Sequence, residues 1–168
     1  MKAIPFLLTA ALGSAAASAQ AMIPLDDKRL PFTVQLPKTW LGVQIQDGTS
    51  GVSLTSAKTK PASLMRLLFS GKGGQNITAA TLARDFEAGL KSSGSTVKQV
   101  SERAAKYGGV QGMEREYVVS EQGKQIQMRV WYGSGARNVY AFQVSDTVSR
   151  FPAASATFSK VLSTVRFR

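Results

Sequence analysis

Apolar residues change their spacing several times along this chain, and each change marks an element. Residues 3–17 are almost wholly apolar or small, behind Met1-Lys2 and ahead of Ala17-Ser18-Ala19. A run of roughly 15 residues is shorter than the about 18–20 needed to cross a bilayer, and a small-x-small triplet is where a leader is cut. Residues 1–19 therefore read as a secretory signal peptide. Residues 20–31 hold two prolines and no apolar period, and read as a leader segment into a single domain over 32–168.

Within that domain the first period is two. Phe32, Val34 and Leu36 alternate with Thr33 and Gln35 until Pro37-Lys38-Thr39-Trp40 ends the strand. Residues 42–46 and 52–56 then flank Asp47-Gly48-Thr49-Ser50-Gly51, a hairpin with a glycine-containing loop. Lys58-Thr59-Lys60-Pro61 breaks the chain, residues 63–69 form an apolar run interrupted by Arg66, and Gly71-Lys72-Gly73-Gly74 follows. The period then changes to that of a helix between Thr78 and Ser93. Thr78 is an N-cap, Leu82, Phe86 and Leu90 share a stripe, and Gly94 sits where a left-handed residue closes a helix. Gly89 costs up to about 1 kcal/mol relative to alanine, which suggests close packing at that point.

Residues 96–145 return to alternation and read as antiparallel strands. Gln122-Gly123 between Glu121 and Lys124 sets a hairpin register that pairs Val119 with Ile126, Tyr117 with Met128 and Glu116 with Arg129. A five-residue loop at 133–137 would next place Tyr132, Val130, Met128 and Ile126 opposite Asn138, Tyr140, Phe142 and Val144 as one core face. Phe151, Ala154, Phe158, Val161, Leu162 and Val165 keep helical spacing, and Pro152 confines the start of that helix to the vicinity of Arg150. The expected class is α+β, an antiparallel sheet between helices.

Composition narrows the chemistry. The chain has no cysteine and no histidine, which excludes disulfides, a thiol nucleophile, an imidazole base and a conventional zinc site. Net charge is +11, and the excess is uneven, because no acidic residue lies between Asp47 and Asp85 while Lys58, Lys60, Arg66, Lys72 and Arg84 do. Such a surface attracts polyanions. For an exported chain these are an acidic protein, an anionic envelope polymer or a lipid surface, with no transmembrane segment and no specific nucleic acid.

The order of elements carries a resemblance. The strand Phe32-Thr33-Val34-Gln35-Leu36 followed by Pro37-Lys38-Thr39-Trp40, a mid-chain helix, long hairpins and a closing helix ending Val161-Leu162-Ser163-Thr164-Val165-Arg166-Phe167 resemble the PsbP-like family, including its exported bacterial DcrB-like and LpqN-like members. The resemblance implies an antiparallel sheet sandwiched by helices and a non-enzymatic role in binding or assembly. Many bacterial relatives are lipoproteins, whereas this chain has no cysteine to acylate.

Four local patterns bear on chemistry. Ser95-Thr96-Val97-Lys98 matches S-x-x-K, but that dyad needs a helix start, and this segment alternates like a strand. Glu114 and Glu116 share a strand face, where carboxylates could couple or hold a cation, yet a Glu116–Arg129 pair makes them a solvated charged face. Gly71-Lys72-Gly73-Gly74 lies between a strand and a helix like a phosphate loop, but no Ser or Thr follows Lys72. Asn76-Ile77-Thr78 is a glycosylation sequon whose threonine has a capping role. The residues left for partner binding are Lys58 and Lys60, exposed beside Pro61, and Trp131, on the face opposite Val130 and Met128; Trp40 is expected to plug the core. No catalytic, metal or cofactor residue is assigned. The expectation is a secreted or periplasmic binding or accessory protein with a basic surface, the alternatives being a small exported hydrolase using carboxylates and a purely structural envelope protein.

Overall fold

A computed structural model describes residues 20–168, and the proposed signal peptide lies outside them. The described chain runs β1 (Met22–Leu25), β2 (Phe32–Pro37), β3 (Leu41–Gly42), β4 (Ser50–Thr55), β5 (Leu64–Gly71), α1 (Ala79–Ser92), β6 (Thr96–Tyr107), β7 (Val110–Glu121), β8 (Lys124–Ser134), β9 (Asn138–Thr147), α2 (Phe151–Thr164) and β10 (Arg166–Phe167). Seven strands form an antiparallel sheet in the order β3-β4-β5-β9-β8-β7-β6, and β1, β2 and β10 pair as a smaller one.

The large sheet buries both of its faces, in two separate cores. Tyr117, Val119, Met128, Val130 and Tyr132 point to one face, where Ala83, Leu82, Phe86 and Leu90 of α1 cover them. Trp131, Tyr140, Phe142, Val144, Met65 and Leu67 point to the other, against Phe151, Phe158, Val161 and Leu162 of α2 and Phe32, Val34 and Leu36 of β2. Two helices on opposite faces of one antiparallel sheet give the α+β sandwich expected above. α1 begins on the Thr78 hydroxyl, which accepts from the Thr81 N–H at 3.1 Å. It ends where the Ser95 N–H reaches the Leu90 carbonyl and the Gly94 N–H reaches that of Lys91, with Gly94 at φ +90°.

The β7–β8 register is the expected one, with Glu121 opposite Lys124, Tyr117 opposite Met128 and Glu116 opposite Arg129. Gln122 and Gly123 take φ of 49° and 76°, the successive left-handed residues of a tight hairpin. The β8–β9 register differs from the expected one. Strand β8 continues through Gly133 to Ser134, the Gly135 N–H bonds the Asn138 carbonyl at 2.9 Å, and Trp131 rather than Met128 faces Phe142. The displacement is an odd number of residues, so it splits the supposed single face into the two cores. Its cause is Gly133, which is not a loop residue: a Cβ there would meet the Trp131 ring at 2.2 Å. Gly112, its partner across the β7–β8 ladder, is equally tight against Tyr132 O at 2.3 Å and Trp131 Nε1 at 2.6 Å. The indole lies over two paired glycines that make room for it.

One further expectation is corrected. Gly89 has nothing within 4 Å of where a Cβ would sit, so no close packing explains it. Segment 20–31, expected as a leader into the domain, contains β1, whose residues Met22 to Leu25 pair with Pro37 back to Val34.

Candidate functional site

The charged side chains sort by type. Arginines hold the acids: Arg115 bridges Glu87 at 2.7 Å and Glu102 at 2.6 Å, Arg66 pairs with Asp47 at 2.8 Å, and Arg150 with Asp146 at 3.2 Å. Arg29, Arg84 and Arg168 pair with Asp27, Asp85 and Asp26. Of the acidic residues only Glu116 and Glu121 lack a basic partner, and among the described residues no lysine forms an ion pair at all. The planar guanidinium fork suits partly buried pairing, whereas an ammonium on a flexible stem stays hydrated. The excess positive charge is therefore displayed chiefly by lysines. Lys58 and Lys60 are among them, exposed in the loop between β4 and β5.

Trp131 is not on that surface. Its side chain is 0% exposed; Nε1 donates to the Ala105 carbonyl at 3.1 Å, and the ring stacks with Phe167 at 5.9 Å and meets Tyr107 edge-on at 5.6 Å. It lies opposite Glu114, on the face away from Val130 and Met128 as expected, but α2 and β10 close that face. Trp40, half-buried, packs on the same core.

Glu114 is also buried, at 3% exposure. Arg103 Nη2 lies 3.0 Å from both its oxygens, Arg129 Nε lies 2.5 Å from Oε2, and the Tyr107 hydroxyl donates to Oε1. Burial pushes this carboxyl up, and the bonds from Arg129, Tyr107 and Arg103 outweigh it, holding the group below its usual value. Arg129 stands opposite Glu116 in register but makes its ion pair diagonally with Glu114, and its other side reaches Ser159 Oγ at 2.6 Å and the Phe158 ring. Both oxygens of Glu114 are occupied, so the two glutamates do not form a free carboxylate pair. Among the described residues no cluster of acids could hold a metal ion. Ser95 lies between α1 and β6 and Lys98 within β6, so the segment is not the helix start that such a dyad needs.

Sequence reasoning missed a second buried polar group. Asp146, 4% exposed, accepts from Ser63 Oγ at 2.6 Å, the Thr147 N–H at 2.7 Å and Arg150 Nε at 3.2 Å. Burial raises its carboxyl and these donors lower it further, leaving it below the ordinary value. The bond joins the start of β5 to the end of β9 and the entrance of α2, and no local pattern in the sequence announces it. A cleft of about 920 Å³ lies at the β3–β4 edge, with Trp40, Leu36, Val52 and the ion-paired Arg66 in its wall. No helix of the described chain is long and apolar enough to cross a membrane.

No family model matches the sequence, and no curated protein matches it either. Solved structures do. Cyanobacterial PsbP from Synechocystis sp. PCC 6803 superimposes with a TM-score of 0.68 at 15% identity, over 94% of this chain and 99% of that one. The fold is PsbP-like. PA94 of Pseudomonas aeruginosa, a protein of unknown function, shares the PsbP-like fold at a TM-score of 0.60 and 14% identity, covering 88% of this chain and 97% of its own. LpqN of Mycobacterium tuberculosis, involved in cell envelope biogenesis, does so at 0.59 and 12%, covering 89% and 86%.

Proposed function

We propose that this chain is an exported accessory protein that binds an anionic or acidic partner through its lysine-bearing surface, without turnover. The observation that carries this reading is the division of labour among cations: arginines neutralise nearly every acid, and among the described residues the lysines stay unpaired. A surface kept only for solubility has no need of that division, since acids and lysines could pair with each other on the exterior. LpqN, a structural neighbour, is involved in cell envelope biogenesis, and an accessory role in the envelope is in keeping with that likeness. Residues 32–168 would act as one unit carrying the surface, with Lys58 and Lys60 among its contacts. A carboxylate-based hydrolase takes second place, because Glu114 has no oxygen free to act on a substrate.

Crosslinking in the native host identifies the partner, and recapture of that partner by the purified protein across a salt series tests the mechanism. Capture is expected to fall steeply towards 1 M salt, where the screening length shrinks from about 10 Å to about 3 Å. Capture that persists unchanged at 1 M removes the electrostatic mechanism. Sequencing the mature N-terminus tests export: a start near residues 19–22 is expected, and an uncut Met1 in the cytosol contradicts it.

A further inference from the structure

We infer that the end of the sheet where β5 meets the β8–β9 turn is a subsite for a phosphate group, held between Lys72 and Arg137. This deepens the reading above and rests on its premise that unpaired cations are there to bind anions. The two residues lie far apart in sequence and meet because β5 and β9 are neighbours, with Gly71 opposite Asn138 at the ends of their ladder. The Lys72 N–H donates to the Arg137 carbonyl at 2.9 Å, fixing one loop on the other. A cavity of about 500 Å³ opens between them, lined by Lys72, Gly74, Gln75, Asn76, Ala136 and Arg137.

Every polar side chain in that lining can donate a hydrogen bond, and none is acidic. Lys72 supplies an ammonium, Arg137 a planar guanidinium fork, and Gln75 and Asn76 amide groups. Neither cation is taken by a described carboxylate, unlike Arg66, Arg115 and Arg129. The chain keeps acids away from both loops: residues 48–84 and 122–145 contain none. The loop that carries Lys72 is shaped rather than loose. The Gln75 N–H closes on the Lys72 carbonyl at 3.0 Å, and the two residues between take φ of +55° and +80°, values that Gly73 and Gly74 reach without steric cost. The amino end of α1 follows within a few residues, with no acid in its first turn to oppose an anion.

An oxyanion that accepts from several directions at once matches this set better than a single planar carboxylate does. A phosphate group has that form, whether free or in a phosphodiester headgroup. The sequence pattern had pointed at Gly71-Lys72-Gly73-Gly74 and failed the Walker motif because no Ser or Thr follows the lysine. The structure replaces the missing partner with Arg137, from the β8–β9 turn.

The test is an ¹H–¹⁵N NMR titration of the mature protein with inorganic phosphate against chloride at constant ionic strength. Saturable shifts confined to the amides of residues 72–76 and 136–138 are expected. Affinity should drop about tenfold in Lys72→Gln and again in Arg137→Gln, and Arg84→Gln, which removes the same charge elsewhere, should leave it in place. Thermal melts of the variants check that the fold survives. Vesicles of phosphatidylglycerol and phosphatidylcholine at 1:3 separate the sources. A matching loss of vesicle binding in the double variant assigns a lipid headgroup, and loss of phosphate binding alone assigns a free phosphate. Shifts spread equally over Lys58 and Lys160, or phosphate affinity unchanged in the double variant, overturn the subsite. With capture of the crosslinked partner still salt-sensitive, that outcome leaves the wider surface reading standing. Salt-insensitive capture beside an intact phosphate site sinks only the wider reading.

Discussion

Replacing Glu114 by glutamine tests whether the buried ion cluster holds the sheet or performs chemistry. The substitution keeps the shape and removes the charge. Arg103 is 63% exposed at its side chain and can turn to water, but the Arg129 side chain is 6% exposed and cannot. What remains around Arg129 is neutral: Ser159 Oγ at 2.6 Å, Ser155 Oγ and carbonyl at 3.3 Å, and the face of Phe158. A buried cation left without its anion costs about 3–5 kcal/mol, and the amide oxygen of glutamine recovers part of this, so a loss of about 2–4 kcal/mol is expected. Urea unfolding followed by the fluorescence of buried Trp131 measures it. The pH dependence identifies charge as the cause. Glu114 has a folded-state value held below its ordinary 4.5, so its contribution is present above the unfolded value and is lost as pH falls through the folded one. The gap between wild type and Glu114→Gln should therefore be full at pH 7 and shrink below pH 4.5. A gap of equal size at pH 7 and pH 3 would show that packing, not charge, is at stake. Partner capture by the variant, measured where it is still folded, should match wild type, and loss of an enzymatic activity would instead revive the hydrolase reading.

Other expectations follow from single contacts. Gly89→Ala should stabilise the protein by up to about 1 kcal/mol, since the site is open and helical; a lower melting temperature refutes this. Gly133→Ala should destabilise by about 1–3 kcal/mol because its Cβ has to displace the Trp131 ring, and near-zero change in urea unfolding would mean that the indole moves freely. Tyr117, pushed up to about 12 by burial and by the Glu87 carboxylate, should make stability decline as pH rises above 10. That decline is checked by alkaline unfolding, and Tyr117→Phe should make it shallower without removing it, because burial also raises Tyr107, Tyr132 and Tyr140.

Local signals and long-range partners explain which parts of this fold could be read in advance. The β7–β8 register was legible because three independent features agreed: the Gln122-Gly123 turn, the Glu121–Lys124 charges and the alternation of Tyr117 and Val119 with Met128 and Ile126. At the next hairpin glycine carried two meanings. Gly133 reads as a turn residue by composition, but it serves Trp131, and only the placement of the indole distinguishes a loop glycine from a glycine that admits a ring. Strands β1 and β10 were invisible for another reason. Each is short and depends on β2 for its hydrogen bonds, so no period within either segment could reveal it. Lys58 and Lys60 lie where an exposed loop beside proline was expected. Trp131 is buried because the face it occupies is roofed by Phe167, a residue from the far end of the chain.

The charged residues follow the same logic at the level of the whole molecule. Arg115 and Arg129 are held against the two faces of the sheet, each by a glutamate, so removing either changes folding before it changes the surface. The lysines carry no such duty among the described residues, which makes them free to vary without penalty to the fold. A protein that needed only solubility could let that freedom produce any mixture of signs. Here residues 48–84 and 122–145 exclude acids altogether and bring Lys72 and Arg137 to one end of the sheet. Acid exclusion over two separate segments that the topology then joins has no role in packing, because neither cation pairs with anything inside. What it does produce is a local positive field in a concave place, and such a field acts only on something that comes from outside.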